Sequence, residues 1–117
     1  MKIAVAHLVD DASVGGVNRM LEHLVAHDGL TRHDIVRVER GALTPPKVRA
    51  DVIISHLSAC WANLAMLTAL RGLHPDTPMA HVEHSYSERF LALNVDNRDR
   101  FHTLLGTVYA LFDKVVA

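Results

Sequence analysis

The chain has 117 residues, half of them hydrophobic and 21% charged, with a mean hydropathy of +0.14. Twelve basic side chains against thirteen acidic ones leave a formal charge of −1. These figures suit one globular domain and exclude a disordered chain, two ordinary domains and a general electrostatic attraction to nucleic acid.

Lys2 to Leu8 is a short apolar run rich in β-branched residues, the pattern of a buried strand. A polar loop from Asp10 ends at Gly16, after which Val17, Met20, Leu21, Leu24 and Val25 fall on one helical face and Gly29 offers a stop. Asp34 to Glu39 reads as a second strand, and Gly41 to Pro46 as a loop, since Pro45-Pro46 cannot sit in a central strand. Asp51 to His56 places a β-branched centre between polar ends and forms the third strand. Ser58 then offers an N-cap for a helix from about Ala59 to Leu70, so apolar all round that it is expected to be largely buried. Pro78 to His84 is a fourth strand. Asp96 can cap a last helix, along which Phe101, Leu104, Leu105, Val108, Leu111 and Phe112 recur, and Lys114 to Ala117 begins a fifth strand.

Strands alternating with helices give an α/β class, a Rossmann-like parallel sheet with flanking helices. In such sheets ligands gather at the carboxyl ends of the strands. Three polar clusters fall there: the loop after Leu8, Ser55-His56, and Glu83-His84-Ser85. The single cysteine, Cys60, excludes an internal disulfide framework and, with the methionines, reads as core filling. The amino terminus lacks signal-peptide character and no run approaches the ~18 apolar residues of a membrane span, which points to a cytoplasmic protein.

Gly15-Gly16 lies between a strand and a helix, where missing side chains let a ligand reach the backbone and the N–H groups of a first helical turn attract anions. It matches neither a dinucleotide nor a P-loop fingerprint, and an ordinary flexible turn is the plainer reading. Nine histidines raise the question of a metal. His23 and His27 are four apart on a helix but have no third ligand at clear spacing, and His81 and His84 are expected on opposite faces of a strand. No metal site is predicted, and His7, His33, His74 and His102 show no partnership. His84, at a strand end between Glu83 and Ser85-Tyr86, has two readings: a group that hydrogen-bonds a ligand hydroxyl or exchanges a proton, or one that satisfies its own loop. Ser55 and His56 have the same two readings at the neighbouring strand. No G-x-S-x-G elbow surrounds any serine, which argues against a hydrolase. Arg89, Arg98 and Arg100 near Phe90 and Leu93 read as solvated charges, with peripheral contact to anionic lipid at the inner membrane face as the second reading.

Taken together, Gly15-Gly16-Val17-Asn18-Arg19 after the first strand, Ala50-Asp51-Val52-Ile53-Ile54-Ser55-His56, Pro78 to Tyr86 ending in His84, and Phe112 to Ala117 resemble the amino-terminal domain of family 4 glycosyltransferases of the GT-B fold. The resemblance runs over essentially the whole chain. It implies a retaining transfer of a sugar from a nucleotide-sugar donor to a glycan or lipid-linked acceptor, with no cofactor and no required metal. In that family the amino-terminal domain holds the acceptor, and a carboxy-terminal domain with a paired-glutamate motif holds the donor. By the resemblance, His84 is the catalytic histidine beside the transferred sugar and Gly15 and Gly16 lie near the donor diphosphate. Ser55, His56, Glu83, Ser85 and Tyr86 become acceptor or sugar-binding candidates, although the residue after the family histidine is often aspartate and here is Ser85. No glutamate pair or second Rossmann-like unit follows, so the expectation is an amino-terminal fragment, with little transferase activity alone and an edge left for a missing partner domain.

Two other classes stand beside this one. A non-catalytic α/β binding or interaction module would retain the fold without the chemistry. A stand-alone receiver needs a phosphorylatable aspartate at a strand end, whereas Asp51 begins its strand and the lysine such a site requires is missing.

Overall fold

The computed structural model describes residues 2–10, 15–83 and 97–116. In chain order the elements are β1 (Ile3–Val9), α1 (Gly15–His27), β2 (Thr31–Arg37), β3 (Val52–Ser55), α2 (Trp61–Leu73), β4 (Met79–Val82), α3 (Arg98–Tyr109) and β5 (Lys114–Val116). The strands form one parallel sheet in the order β2-β1-β3-β4-β5. The expected α/β, Rossmann-like class is therefore the observed one.

Strand alternation divides the core into two unequal halves. Ala6 and Leu8 of β1, Ile53 of β3 and Met79 of β4 point to one face, where Met66, Leu67 and Leu70 of α2 and Leu104 and Val108 of α3 cover them. Val9 of β1 points the other way and meets Val17 and Leu21 of α1, with Leu24 and Ile35 at its border. Right-handed crossovers place α1 on the second face and α2 and α3 on the first, because the chain leaves β1 toward one edge and β3 toward the other.

Two aspartates fix the sheet's register at its amino edge. Asp51, just before β3, donates its N–H to the Ala4 carbonyl and accepts the Ala4 N–H on its carboxylate, both at 2.8 Å. Asp113, just before β5, makes the same pair of bonds to Met79 on β4, also at 2.8 Å. The Met79 N–H is the main cause, and the Arg71 guanidinium at 3.2 Å a smaller one, that holds the Asp113 carboxyl below its ordinary range despite some desolvation.

Several elements differ from expectation for local reasons. β2 starts at Thr31 rather than Asp34, because Asp28 Oδ1 accepts the N–H groups of Leu30 and Thr31 and turns the chain straight into the sheet. That turn ends α1 at His27 without a left-handed glycine; among the described residues only Gly41, at φ 82°, has positive φ. α2 starts at Trp61 with Cys60 as its N-cap, because the Ser58 carbonyl is taken by Asn63 Nδ2 at 2.9 Å and Ala59 is packed in the core. α2 is also not buried all round. Asn63, Met66, Leu67 and Leu70 form an ordinary inward stripe, while Trp61 is 53% and Leu73 66% exposed. Met20 on α1 is exposed too, so not every methionine fills the core. Asn97, not Asp96, caps α3 by accepting the Arg100 N–H at 3.0 Å; Asp96 lies outside the described residues. Among the described residues no helix is long and apolar enough to cross a membrane.

Candidate functional site

β1 and β3 are neighbours although β2 lies beyond one and β4 beyond the other, so the strand order reverses between them. At such a point the flanking loops diverge and leave a crevice at the carboxyl ends of the strands. Gly15 and Gly16 lie in the first turn of α1, where N–H groups lack intrahelical acceptors and the turn itself carries no acidic residue; Asp11, in the loop before it, lies outside the described residues. Asp10, at the end of β1, is buried and turned toward Asn63, whose Nδ2 lies 3.3 Å from its carboxylate. Ser55 ends β3, His56 follows it, and Glu83 follows β4. The expected site residues His84, Ser85 and Tyr86 lie outside the described residues.

Ser55 and His56 point to opposite faces of the sheet, and each joins a separate hydrogen-bonded chain. On the α1 face, His56 Nε2 lies 3.0 Å from His7 Nδ1, His7 Nε2 lies 2.8 Å from His33 Nδ1, and His33 Nε2 lies 2.7 Å from Asp28 Oδ2. Strand register makes this possible. His7 of β1 sits opposite Ile54 of β3, His33 of β2 sits opposite Val5 of β1, and the face-sharing alternation brings the three rings into a line. The His7 ring is roughly parallel to both neighbours, with centroids 5.1 Å from His33 and 5.2 Å from His56. Asp28 serves two ends at once, since Oδ1 holds the turn into β2 and Oδ2 holds His33. The expectation that His7 and His33 have no partnership is thus corrected.

Burial sets the charge state of this line. His7 is pushed down to about 4, first by desolvation and then by the charge of His33 beside it. The Asp28 carboxyl is held below its ordinary range, mainly by the His33 hydrogen bond and then by the Leu30 N–H.

On the opposite face the line runs through His81, which is fully buried. Its Nδ1 lies 3.2 Å from Ser55 Oγ and its Nε2 3.0 Å from Glu83 Oε2, and the Tyr109 hydroxyl donates to the same Glu83 oxygen at 2.8 Å. The rings of Tyr109 and Phe112 flank His81. Ser, His and Glu in one line have the makings of a hydrolytic triad, but the geometry does not serve one. Ser55 is 0% exposed, and its hydroxyl oxygen also takes the Leu57 N–H at 3.3 Å. A serine held there orients the β3 and β4 ends and does not meet a substrate.

His81, His7 and His33 were not singled out in the sequence as site residues. Their signal was present in alternation for two of them: His7 and His81 each occupy an inward position of an otherwise apolar strand, and a buried imidazole requires partners, whereas His33 sits half-buried in the polar strand β2. Among the described residues no group of three or more His, Cys, Asp or Glu is arranged around a metal-ion position. His23 and His27 lie exposed on α1 with ring centroids 4.4 Å apart. A groove of about 820 Å³ lies away from all these residues, between the β2–β3 connection and the end of α2, lined by Pro45, Pro46, Lys47, Arg49, Leu73 and His74 among others. Comparison with known proteins gave no matching family model, no similar curated protein and no similar solved structure.

Proposed function

We propose that this chain is the acceptor-side, Rossmann-like half of a retaining glycosyltransferase that moves a sugar from a nucleotide-sugar to a glycan or lipid-linked acceptor. The observation that carries the reading is the carboxyl edge at the sheet's reversal point. There a glycine pair opens α1 directly after β1, and histidine, serine and glutamate side chains lie at the ends of β3 and β4. Backbone N–H groups at the start of a helix suit the diphosphate of a donor, and imidazole and carboxylate groups suit sugar hydroxyls. In this reading His84 touches the transferred sugar, Gly15 and Gly16 approach the diphosphate, His56, Glu83, Ser85 and Tyr86 form the acceptor side, and Ser55, buried against His81, only holds the strand ends in place.

The receiver alternative is disfavoured by position. Asp51 sits at the amino edge with its carboxylate committed to Ala4, and β3 ends in Ser55 where that chemistry needs an acid.

Calorimetry on the full 117-residue chain tests the proposal. A panel of mono- and disaccharides is expected to bind at about 1 mM or tighter, and UDP-glucose much more weakly than the micromolar range, because the donor is held mostly by a second domain. Micromolar UDP-glucose binding without any saccharide binding overturns the assignment. In a transferase assembled on this chain, His84→Ala is expected to leave folding intact and lower the transfer rate sharply; an unchanged rate removes His84 from the mechanism.

A further inference from the structure

The groove between the β2–β3 connection and the end of α2 lies at the amino edge of the sheet, since β3 begins at Val52 and β4, the strand after α2, begins at Met79. The candidate site at the carboxyl edge is at the other end of the strands. Local sequence builds the walls of the groove. Pro45-Pro46 fixes φ at two consecutive residues and removes both N–H donors, so that wall is stiff and apolar. Val48 is then buried in the core while Lys47 and Arg49 on either side of it are exposed, an alternation that turns both cations outward together. The facing wall ends in Leu73, a large apolar side chain left exposed at the last turn of α2.

Charge makes the groove one-sided. Among the described residues neither Lys47 nor Arg49 makes an ion pair or a side-chain hydrogen bond, and no acidic residue lines the groove. The acids nearby in sequence do not neutralise it: Asp51 is committed to Ala4, and Asp76 is exposed beyond the lining. Arg71, in the last turn of α2, is engaged by Asp113 and the Pro75 carbonyl. The last carbonyls of α2 carry the negative end of its dipole, which disfavours an anion on the Leu73 side and leaves Lys47 and Arg49 as the place for one.

We propose that this groove binds a single-chain anionic amphiphile, with its charged head at Lys47 and Arg49 and its hydrocarbon chain along Pro45, Pro46 and Leu73. The groove's volume of about 820 Å³ falls in the range of small-molecule sites, roughly 300–1,000 Å³. A neutral apolar ligand fits less well, because it leaves two adjacent cations beside a desolvated surface with no counter-charge. An extended peptide also fits less well, because two successive prolines present no N–H groups to pair with an added strand. Each methylene buried against the apolar wall raises affinity by a factor of about four, so chain length and head charge contribute separately.

Backbone amide NMR of the full chain, titrated with dodecanoate below its micelle concentration, tests this. Saturable shifts are expected at Thr44, Lys47, Val48, Arg49, Leu73 and His74, with a Kd of about 100 μM or tighter. Octanoate, four methylenes shorter, is expected to bind at least about tenfold more weakly. Dodecyltrimethylammonium, with the same chain and the opposite charge, is expected to lose at least about tenfold as well, and so is dodecanoate with the double variant Lys47→Gln, Arg49→Gln. The cationic analogue on the wild type reads the role of charge even if the variant does not fold. Absence of saturable shifts in the groove, shifts at the carboxyl edge instead, equal binding of the cationic analogue, or an unchanged affinity in the folded double variant overturns the proposal. So does a Glu- and Leu-rich helical peptide that shifts the groove signals at lower concentration than dodecanoate, which would assign the groove to a protein partner.

Discussion

His7 is the ring whose burial has the largest thermodynamic consequence. In the folded chain it is pushed down to about 4 from an ordinary 6.5, so the unfolded chain binds its proton first as the solution is acidified. The stability that follows is fully present above about pH 6.5, is lost progressively between about pH 6.5 and pH 4, and is gone below that. At about 1.4 kcal/mol per pH unit the full window is worth about 3 kcal/mol, and solvent screening brings this to about 2 kcal/mol. His7→Gln removes the titration. It also leaves His56 or His33 short of a partner, which costs about 1–3 kcal/mol near neutral pH. Urea unfolding of both proteins at about pH 7, 6, 5 and 4.5 measures the two effects separately. The wild type is expected to lose about 2 kcal/mol more than the variant over that range. Equal pH slopes in the two proteins refute the placement of His7 as a neutral, desolvated ring.

Other substitutions probe the frame around the site. Gly41 adopts φ 82°, and a Cβ there would meet Ala62 Cβ at 3.9 Å, an ordinary van der Waals contact, so Gly41→Ala is expected to cost about 1–2 kcal/mol in urea unfolding through backbone strain rather than a clash. A loss near zero would show that the loop relaxes. Asn63 is buried and ties Asp10, the Ser58 carbonyl and the Gly41 N–H together, and Asn63→Ala is expected to cost about 2–3 kcal/mol. A neutral effect would show that these three bonds add nothing to stability. Tyr109→Phe removes the hydroxyl bonded to Glu83 and is expected to cost about 1.5–3 kcal/mol by the same assay; no change would mean that this bond adds nothing to stability.

The strands and their direction were legible because apolar β-branched runs alternate with helical periods, and a parallel sheet follows from that order. The motifs Ala50-Asp51-Val52 and Phe112-Asp113-Lys114 were legible as strand entries, and the structure gives both aspartates one job, the double bond to the neighbouring strand. Element starts were less legible where a side chain competes for the backbone. Asp28 pulls β2 forward by three residues, and Asn63 takes the Ser58 carbonyl and moves the start of α2 to Trp61. The histidine lines were illegible as lines. His7, His33 and His56 are far apart in sequence, and only the strand order β2-β1-β3 puts them side by side. A histidine at an inward strand position signals that a partner exists but does not say which residue it is.

The proposed function makes the carboxyl edge, at the reversal between β1 and β3, the place where a saccharide binds. Backbone amide NMR of the full chain, titrated with the saccharide that binds best, tests this most directly. The predicted result is a contiguous set of shifted signals at Gly15, Gly16, Ser55, His56 and Glu83, extending to His84. Shifts confined to the groove of Lys47, Arg49, Leu73 and His74, or no saturable shifts at any concentration, would contradict it.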